Sequence, residues 1–231
     1  MSDLQPAYIL HRRVWRETSL ILDVYSASYG RLSILARGAL RKRGLGAELQ
    51  PFQPLKLSWT GKSELKTLTQ CENSERLPVL QGQDLLSGMY VNELILKFCP
   101  LNDINVEVFI AYAEMISNLR ANLHHALRKF ELHLLHSMGL SPDFCVENNG
   151  SAISADGYYQ VHPMDGIHSA QQYEDRTFSG DVLLACHQFK PEITEKQKEM
   201  RNLMRLYIDF HLQGKELKTR TLSRQMKQWS T

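Results

Sequence analysis

The feature that most constrains the fold is a change in hydrophobic period near residue 82. Before it, short apolar runs alternate with polar residues, as in LKLSWT, where Leu55, Leu57 and Trp59 would share one strand face and Lys56 the other. Turn signals separate five such runs, and none of the five has a helical period. This pattern predicts a small closed or half-closed β-barrel, of which the OB-fold is the five-stranded type.

After the change, apolar residues recur at helical spacing. Helices are expected after the capping candidates Asp84 and Asn102 or Asn105, and the clearest helix carries apolar residues at spacings of three and four from Leu123 to Met138. Gly139 is placed to end that helix.

Residues 141–178 are turn-rich, with short strand candidates at GYYQVHP and GIHSAQ. We therefore predict an α+β protein of two domains. An OB-fold barrel would occupy about 1–80, and a mainly α-helical domain with this small turn-rich β insertion would occupy about 81–231.

The charge of the chain is unevenly distributed. Residues 1–80 hold 12 Lys and Arg against 7 Asp and Glu, and residues 81–213 hold 10 against 17. Residues 214–231 hold five against one, so an acidic middle lies between two basic ends, which indicates two surfaces with different partners.

The location is predicted from what the chain lacks. No run approaches the roughly 18 apolar residues of a membrane span, and MSDLQPAYIL lacks the pattern of a signal peptide. The four cysteines are too scattered for a disulfide framework. We expect a cytoplasmic protein with free thiols and no membrane partner.

Enzymatic function is not indicated. The chain contains no GxGxxG, GxxxxGK[ST], GxSxG or HExxH motif, and no nucleophile is paired with a base. His133 and His136 with Cys145 are a conceivable metal set, but histidines on a helix more often pack or face water. We therefore expect no catalytic residues and no metal.

The basic residues between 31 and 66 favour nucleic-acid binding over an ordinary solvated face. They are opposed by two acids, Glu48 and Glu64, and Gly38, Gly44 and Gly46 would allow a mobile loop to approach phosphates closely. Candidate DNA-binding residues are Arg31, Arg37, Arg41, Lys42, Arg43, Lys56, Lys62 and Lys66. Candidate stacking aromatics are Tyr25, Tyr29, Phe52 and Trp59, the last of which is expected in the core.

The residues also carry a family resemblance. HRRVWRETSLILDVYSASYGRLSILARGALRKR, LQPFQPLKLSW, ELKTLTQCE, GMYVNELI and ALRKFELHLLHSMGL resemble the bacterial recombination-mediator family RecO, in order and over nearly the whole chain. The resemblance implies an N-terminal OB domain, a helical C-terminal domain, and binding of single- and double-stranded DNA. It also implies annealing of complementary strands and, together with RecR and with a functional link to RecF, loading of RecA onto DNA coated by single-strand-binding protein. Association with the nucleoid follows.

The chain departs from this family at a zinc site. Many members carry two CxxC pairs that bind a structural zinc, whereas Cys145 stands alone here, with Asn148 where the second thiol would be. One thiolate cannot complete a tetrahedral thiolate site, so zinc is expected to be absent.

The resemblance further implies a site on the helical domain for the acidic, Phe-ended tail of single-strand-binding protein. Such a tail needs an apolar groove with basic side chains at its rim, and the candidates are Leu127, Arg128, Lys129 and Phe130. The basic tail after Gly214 is a candidate extension of the DNA surface. Two other functions stay open: an RNA-binding OB protein, and an interaction adaptor that binds no nucleic acid.

Overall fold

The computed structural model describes residues 3–172, 176–193 and 195–229 and divides into two compact units. Unit 1 comprises Met1–Arg120 and Leu217–Thr231, and unit 2 comprises Ala121–Glu216. Along the chain, the predicted domain boundary near residue 80 separates the barrel from the first helix. In space, the first two helices and the last one belong to the same unit as the barrel.

Unit 1 contains the predicted five-stranded barrel. Its strands are β1 (Gln5–Trp15), β2 (Ser19–Ser26), β3 (Gly30–Ala36), β4 (Leu55–Thr60) and β5 (Leu65–Asn73). They close in the order β1-β2-β3-β5-β4, and every pair is antiparallel except β3 with β5. The OB-type barrel and the α+β class are therefore confirmed.

Alternation along the strands fills the barrel. Leu20, Leu22 and Val24 of β2 are buried inside it, and they meet Leu55 and Leu57 of β4 in one core. Each such side chain contributes roughly 1.5–3 kcal/mol through its removal from water. This periodic burial explains why the sequence alone predicts the barrel.

The chain forms six α-helices within the described residues. They are α1 (Gly82–Phe98), α2 (Val106–Asn118), α3 (Leu123–Ser137), α4 (Gly180–His187), α5 (Gln197–His211) and α6 (Lys218–Trp229). Asn105 caps α2 as predicted, since its side chain accepts a hydrogen bond from the Val108 N–H at 3.0 Å. The capping prediction for Asp84 is wrong: α1 begins after Gln81, and Asp84 lies in its first turn.

A buried amide links the first two helices to the barrel. The Asn92 side chain in α1 donates to the Leu10 carbonyl of β1 at 2.7 Å and accepts from the Tyr112 hydroxyl of α2 at 2.7 Å. Tyr112 also packs edge-on against Tyr8 of β1. The polar groups are satisfied inside the unit, so these contacts hold both helices on the barrel.

The last helix is attached to unit 1 by a carboxylate. Glu93 of α1 accepts hydrogen bonds from the backbone N–H groups of Lys218 and Thr219, at 2.8 and 3.0 Å, and from the Thr219 hydroxyl at 2.7 Å. These N–H groups have no partner within α6, and a negative charge at a helix N-terminus is favourable. Burial alone would raise the pKa of Glu93, but the hydrogen bonds and nearby Lys97 outweigh it and lower the pKa.

Unit 2 combines α3, α4 and α5 with a small antiparallel sheet. Its strands β6 (Tyr158–His162), β7 (Gly166–Ala170) and β8 (Thr177–Ser179) lie in the order β7-β6-β8. The predicted strands in 141–178 are thus present, and Gly139 follows the end of α3 with a φ of +66°. The predicted start of the last long helix, Thr194, lies outside the described residues. Within the described part of the chain, no helix is long and apolar enough to cross a membrane.

Candidate nucleic-acid interface

The segment between β3 and β4, residues 37–54 and here called the basic loop, is folded on itself. The Gly46 N–H donates to the Ala39 carbonyl at 2.8 Å, and a short 3-10 turn spans Leu45–Ala47. Ala39 and Leu49 are buried in the barrel core. Two apolar anchors therefore hold the loop against the end of the barrel.

Two of the glycines in the basic loop have a packing reason. A Cβ atom on Gly44 would lie 2.3 Å from the Ala39 carbonyl oxygen, and one on Gly46 would lie 2.9 Å from the same oxygen. A side chain at Gly44 is thus excluded by backbone. The expected mobility of the empty loop stays a prediction, while close backbone approach explains both glycines.

The cations of the basic loop point away from these anchors. Arg37, Arg41, Lys42 and Arg43 are all exposed. The Arg41 side chain crosses Gly38, where an added Cβ would be 3.3 Å from its Cδ. Four exposed positive charges within seven residues create a local positive potential that attracts polyanions.

The β1–β2 hairpin supports the basic loop and adds charges to it. The Leu40 N–H donates to the Thr18 carbonyl at 2.9 Å, and Nη1 of Arg12 donates to the carbonyls of Gly46 and Leu49 at 3.1 and 3.3 Å. The hairpin also carries the exposed Arg13 and Arg16, with one exposed acid, Glu17, in its turn. Arg13 lines a cavity with Leu32 and Glu64, and no residue of the basic loop lines that cavity.

We call the exposed cations of the hairpin and the loop together the cationic surface. Its members are Arg13, Arg16, Arg37, Arg41, Lys42 and Arg43. The two hairpin arginines were not among the residues predicted from the sequence, although the basic run HRRVWR at the end of the first strand was a signal for them.

Arg31 is hydrogen-bonded to the end of α1. Its Nη1 donates to the carbonyl oxygens of Leu96 and Cys99 at 2.9 and 2.6 Å, at the C-terminal end of α1. Burial lowers the pKa of Arg31, against the opposing effects of Cys99 and Asp23, and an arginine remains charged over the working range. Arg31 therefore holds α1 on the barrel, and its assignment to DNA binding stays a prediction.

The three predicted lysines lie in different environments. Lys56 is exposed on β4 and stands opposite Glu72 of β5, so its charge has an acidic neighbour. Lys62 is exposed in the turn before β5. Lys66 is half-buried and shares a strand face with Leu68, which packs against the barrel core.

Most of the candidate stacking aromatics are inside the unit. Tyr25, Phe52 and Trp59 are buried, the last as expected. Tyr29 is exposed, with its ring edge-on against Trp59 at a centroid distance of 5.1 Å. Trp15 is an exposed aromatic residue that the sequence patterns did not single out.

The four candidates for tail binding do not form one exposed groove. Phe130 is 1% exposed and Arg128 is 8% exposed, and Arg128 forms an ion pair of 2.8 Å with the buried Glu131. Leu127 is half-buried and Lys129 is exposed. The positive charge of Arg128 is therefore used inside unit 2, and the premise that it rims a surface groove is corrected.

A cluster of three possible metal ligands lies in unit 2. Donor atoms of Asp143, Cys145 and His187 lie within 4.8 Å of one another, and Asp143 accepts hydrogen bonds from the His187 ring at 2.9 Å and the Cys145 N–H at 3.1 Å. Hydrogen bonds from Cys145 are the main reason that the pKa of Asp143 is lowered. Sequence patterns did not indicate this set because His187 is remote along the chain.

These residues do not fit a structural zinc ion. Such sites use four protein ligands, most often thiolates, and the described residues bring three donors together here, with a single sulfur. The two histidines considered earlier, His133 and His136, pack on the Phe189 ring at centroid distances of 4.7 and 5.1 Å.

The structure thus shows a five-stranded OB-type barrel that carries an exposed cationic surface. Comparison with known proteins identifies the family. A model described as "Recombination protein O N terminal" matches residues 1–76, and one described as "Recombination protein O C terminal" matches residues 80–221.

Individual relatives agree with these matches. A DNA repair protein RecO from Marinobacter nauticus is 38% identical over 229 residues, covering 94% of this chain and 92% of the relative. One from Polynucleobacter necessarius is 40% identical over 231 residues, covering 94% of each, and one from Vibrio cholerae is 38% identical over 230 residues, covering 97% and 95%. The chain belongs to the RecO family of DNA repair proteins.

Proposed function

We propose that the protein is a non-enzymatic recombination mediator that binds single- and double-stranded DNA and anneals complementary strands. It acts with RecR to help load RecA onto DNA coated by single-strand-binding protein, with a functional link to RecF, in the cytoplasm at the nucleoid. The observation that supports this most strongly is the cationic surface on an OB-type barrel, in a chain of a DNA repair family.

The proposed mechanism is electrostatic. Exposed guanidinium and ammonium groups of the cationic surface neutralise the phosphates of two strands and reduce the repulsion between them. None of its six cations is needed to anchor the loop, because Ala39, Leu49 and the Arg12 hydrogen bonds hold it. The surface therefore binds the backbone without reading the bases, and the bases are left free to pair.

Charge reversal tests the location of DNA binding. In the triple variant Arg41→Glu, Lys42→Glu and Arg43→Glu, affinity for a single-stranded oligonucleotide should fall, and the slope of log affinity against log salt should shrink by roughly 0.7 for each phosphate that the variant no longer neutralises. The matched control reverses three exposed cations of unit 2, Lys190, Lys198 and Arg201. Equal reductions in both variants would remove the loop from the proposal.

Annealing tests the function itself. Complementary strands coated with single-strand-binding protein should anneal faster with the wild-type protein than without it, and the basic-loop variant should lose this effect. Failure of the wild type to anneal would refute the mediator function. Binding of RNA in preference to DNA of equal sequence would favour the RNA-binding alternative, and no binding of either near physiological salt would favour the adaptor.

The proposal includes recruitment through the acidic tail of single-strand-binding protein, but it does not assign the residues that bind this tail. Annealing should slow when the coating protein lacks its acidic tail. Phe130 and Arg128 are buried, so the tail is expected to bind at other residues of the chain.

A further inference from the structure

The β1–β2 hairpin ends in an exposed indole. Trp15 is the last residue of β1 and is 45% exposed, whereas Trp59 is 5% exposed in the barrel core. Tryptophan is highly buried on average, because it has the largest apolar surface of any side chain. At the end of the hairpin it contributes little to the core, and its ring is available to a ligand.

The indole lies where the hairpin meets the basic loop. In the β1–β2 register Trp15 stands opposite Ser19, and the Ser19 hydroxyl accepts a hydrogen bond from the Gly38 N–H at 3.3 Å. Gly38 is in turn the residue crossed by the Arg41 side chain. Trp15 is thus linked to the start of the basic loop through Ser19 of β2 and Gly38.

The neighbours of Trp15 on its own strand continue the same chemistry. Arg13 lies two residues earlier and therefore on the same face of β1, and it is exposed. Arg16 follows in the turn with a φ of +54° and is also exposed. Trp15 is thus an exposed ring with one exposed arginine two positions before it and another directly after it. A nucleotide strand can be held by such residues, with a base on the ring and phosphates on the cations.

We propose that Trp15 is a stacking platform for an unpaired base of single-stranded DNA. This inference rests on the proposed DNA-binding function and adds specificity to it. In a duplex each base is already stacked on both faces, so the indole has no free base to contact. The cationic surface serves both forms of DNA, and Trp15 favours the single-stranded form.

The test compares single-stranded and duplex DNA. For Trp15→Ala, affinity for a labelled oligothymidylate, measured by fluorescence anisotropy, should fall about tenfold, the size of one base–aromatic stack. Affinity for a labelled duplex of equal length should change less than about twofold, and the salt slope should be unchanged because no charge is removed.

Three controls separate stacking from other effects. Trp15→Phe should keep most of the single-strand affinity because it retains a ring. Val14→Ala, at the adjacent position that is 66% exposed, should bind like the wild type. The far-UV circular dichroism spectrum and the urea unfolding midpoint of each variant should match those of the wild type, which establishes that the barrel is folded.

Two outcomes overturn the inference while leaving the proposed function intact: unchanged single-strand affinity of Trp15→Ala, or equal reductions for single-stranded and duplex DNA. A wild-type protein that binds neither form overturns both, and this result is distinguishable because it precedes any comparison of variants.

Discussion

Arg31 is the residue at which a structural role and a DNA-binding role can be separated by one substitution. It is basic and lies on the outer face of β3, which Arg37 continues, yet its guanidinium is bound to the last carbonyls of α1. We expect Arg31→Ala to destabilise unit 1 and to change DNA affinity little under conditions where the unit is folded.

The expected decrease in stability follows from the two hydrogen bonds. Hydrogen bonds from a charged donor contribute about 1.5–3 kcal/mol each, and the lower part of that range applies to a half-buried group. The 2.9 Å and 2.6 Å hydrogen bonds to Leu96 and Cys99 together give a decrease of about 2–4 kcal/mol in the free energy of unfolding. With a slope of about 2 kcal/mol per molar urea, the midpoint should fall by roughly 1–2 M.

The assay is urea unfolding followed by tryptophan emission. Of the three tryptophans of the chain, Trp59 lies in the barrel core, and its emission changes when the barrel unfolds. The matched variant is Arg41→Ala, because Arg41 is an exposed arginine of the same unit. Its unfolding midpoint should stay near that of the wild type, since exposed substitutions usually change stability by less than about 0.5 kcal/mol. Its affinity for single-stranded DNA should fall.

The reverse pattern would refute this reasoning. If Arg31→Ala unfolds at the wild-type urea concentration and binds DNA as weakly as Arg41→Ala, Arg31 is a DNA-binding residue and its hydrogen bonds to α1 are dispensable.

Three further predictions test other charges. Arg128→Met should destabilise the protein by about 3–5 kcal/mol because it removes the ion pair of the buried Glu131, and adding Glu131→Leu should restore most of the stability. Thermal unfolding followed by circular dichroism measures both effects. An equally small effect for Arg128→Met and Lys129→Met would contradict the prediction. The lowered pKa of Glu93 means that its contribution is complete above about pH 5 and is lost as the pH falls through its folded-state pKa. Glu93→Gln should therefore be less stable than the wild type at pH 7, with a difference that shrinks toward pH 3, and a difference independent of pH would count against the link to α6. Metal analysis of protein incubated with zinc and desalted should find substoichiometric zinc, whereas one ion per chain, removed by Cys145→Ser, would overturn the expected absence.

The sequence was sufficient wherever a local pattern decides burial. Alternation places Leu55, Leu57 and Trp59 inside the barrel, and helical spacing places Phe130 inside unit 2. Both follow from the periods of a strand and a helix, which need no knowledge of the partner element. The cap of α2 at Asn105 is local in the same sense.

Contacts between distant segments were beyond these patterns. Arg31 and Arg37 carry the same charge and are expected on the same strand face. The end of α1, more than 60 residues later in the chain, accepts hydrogen bonds from Arg31, whereas Arg37 is exposed to solvent. Arg128 was predicted to be a surface cation although its partner Glu131 is only three residues away on α3. The burial of this pair is set by elements distant in sequence, such as α5, which pack against α3. The hydrogen-bond and ion-pair partners of a basic residue within the protein must therefore be known before the residue is assigned to ligand binding.

The same reasoning applies to the basic loop. Its glycines predict a close approach of the backbone to phosphates, and that stays a prediction. Gly44 and Gly46 also have a packing reason, because the chain passes the Ala39 carbonyl there. Leu49, buried in the barrel core, and the Arg12 hydrogen bond to its carbonyl anchor the loop, and the loop cations are exposed above them. In the proposed function, this anchoring would lower the cost of ordering the loop on binding, in contrast to the predicted mobility of the empty loop. Under the proposal for Trp15, single-stranded DNA is the form better able to adapt to this surface, because its unpaired bases can turn onto the ring.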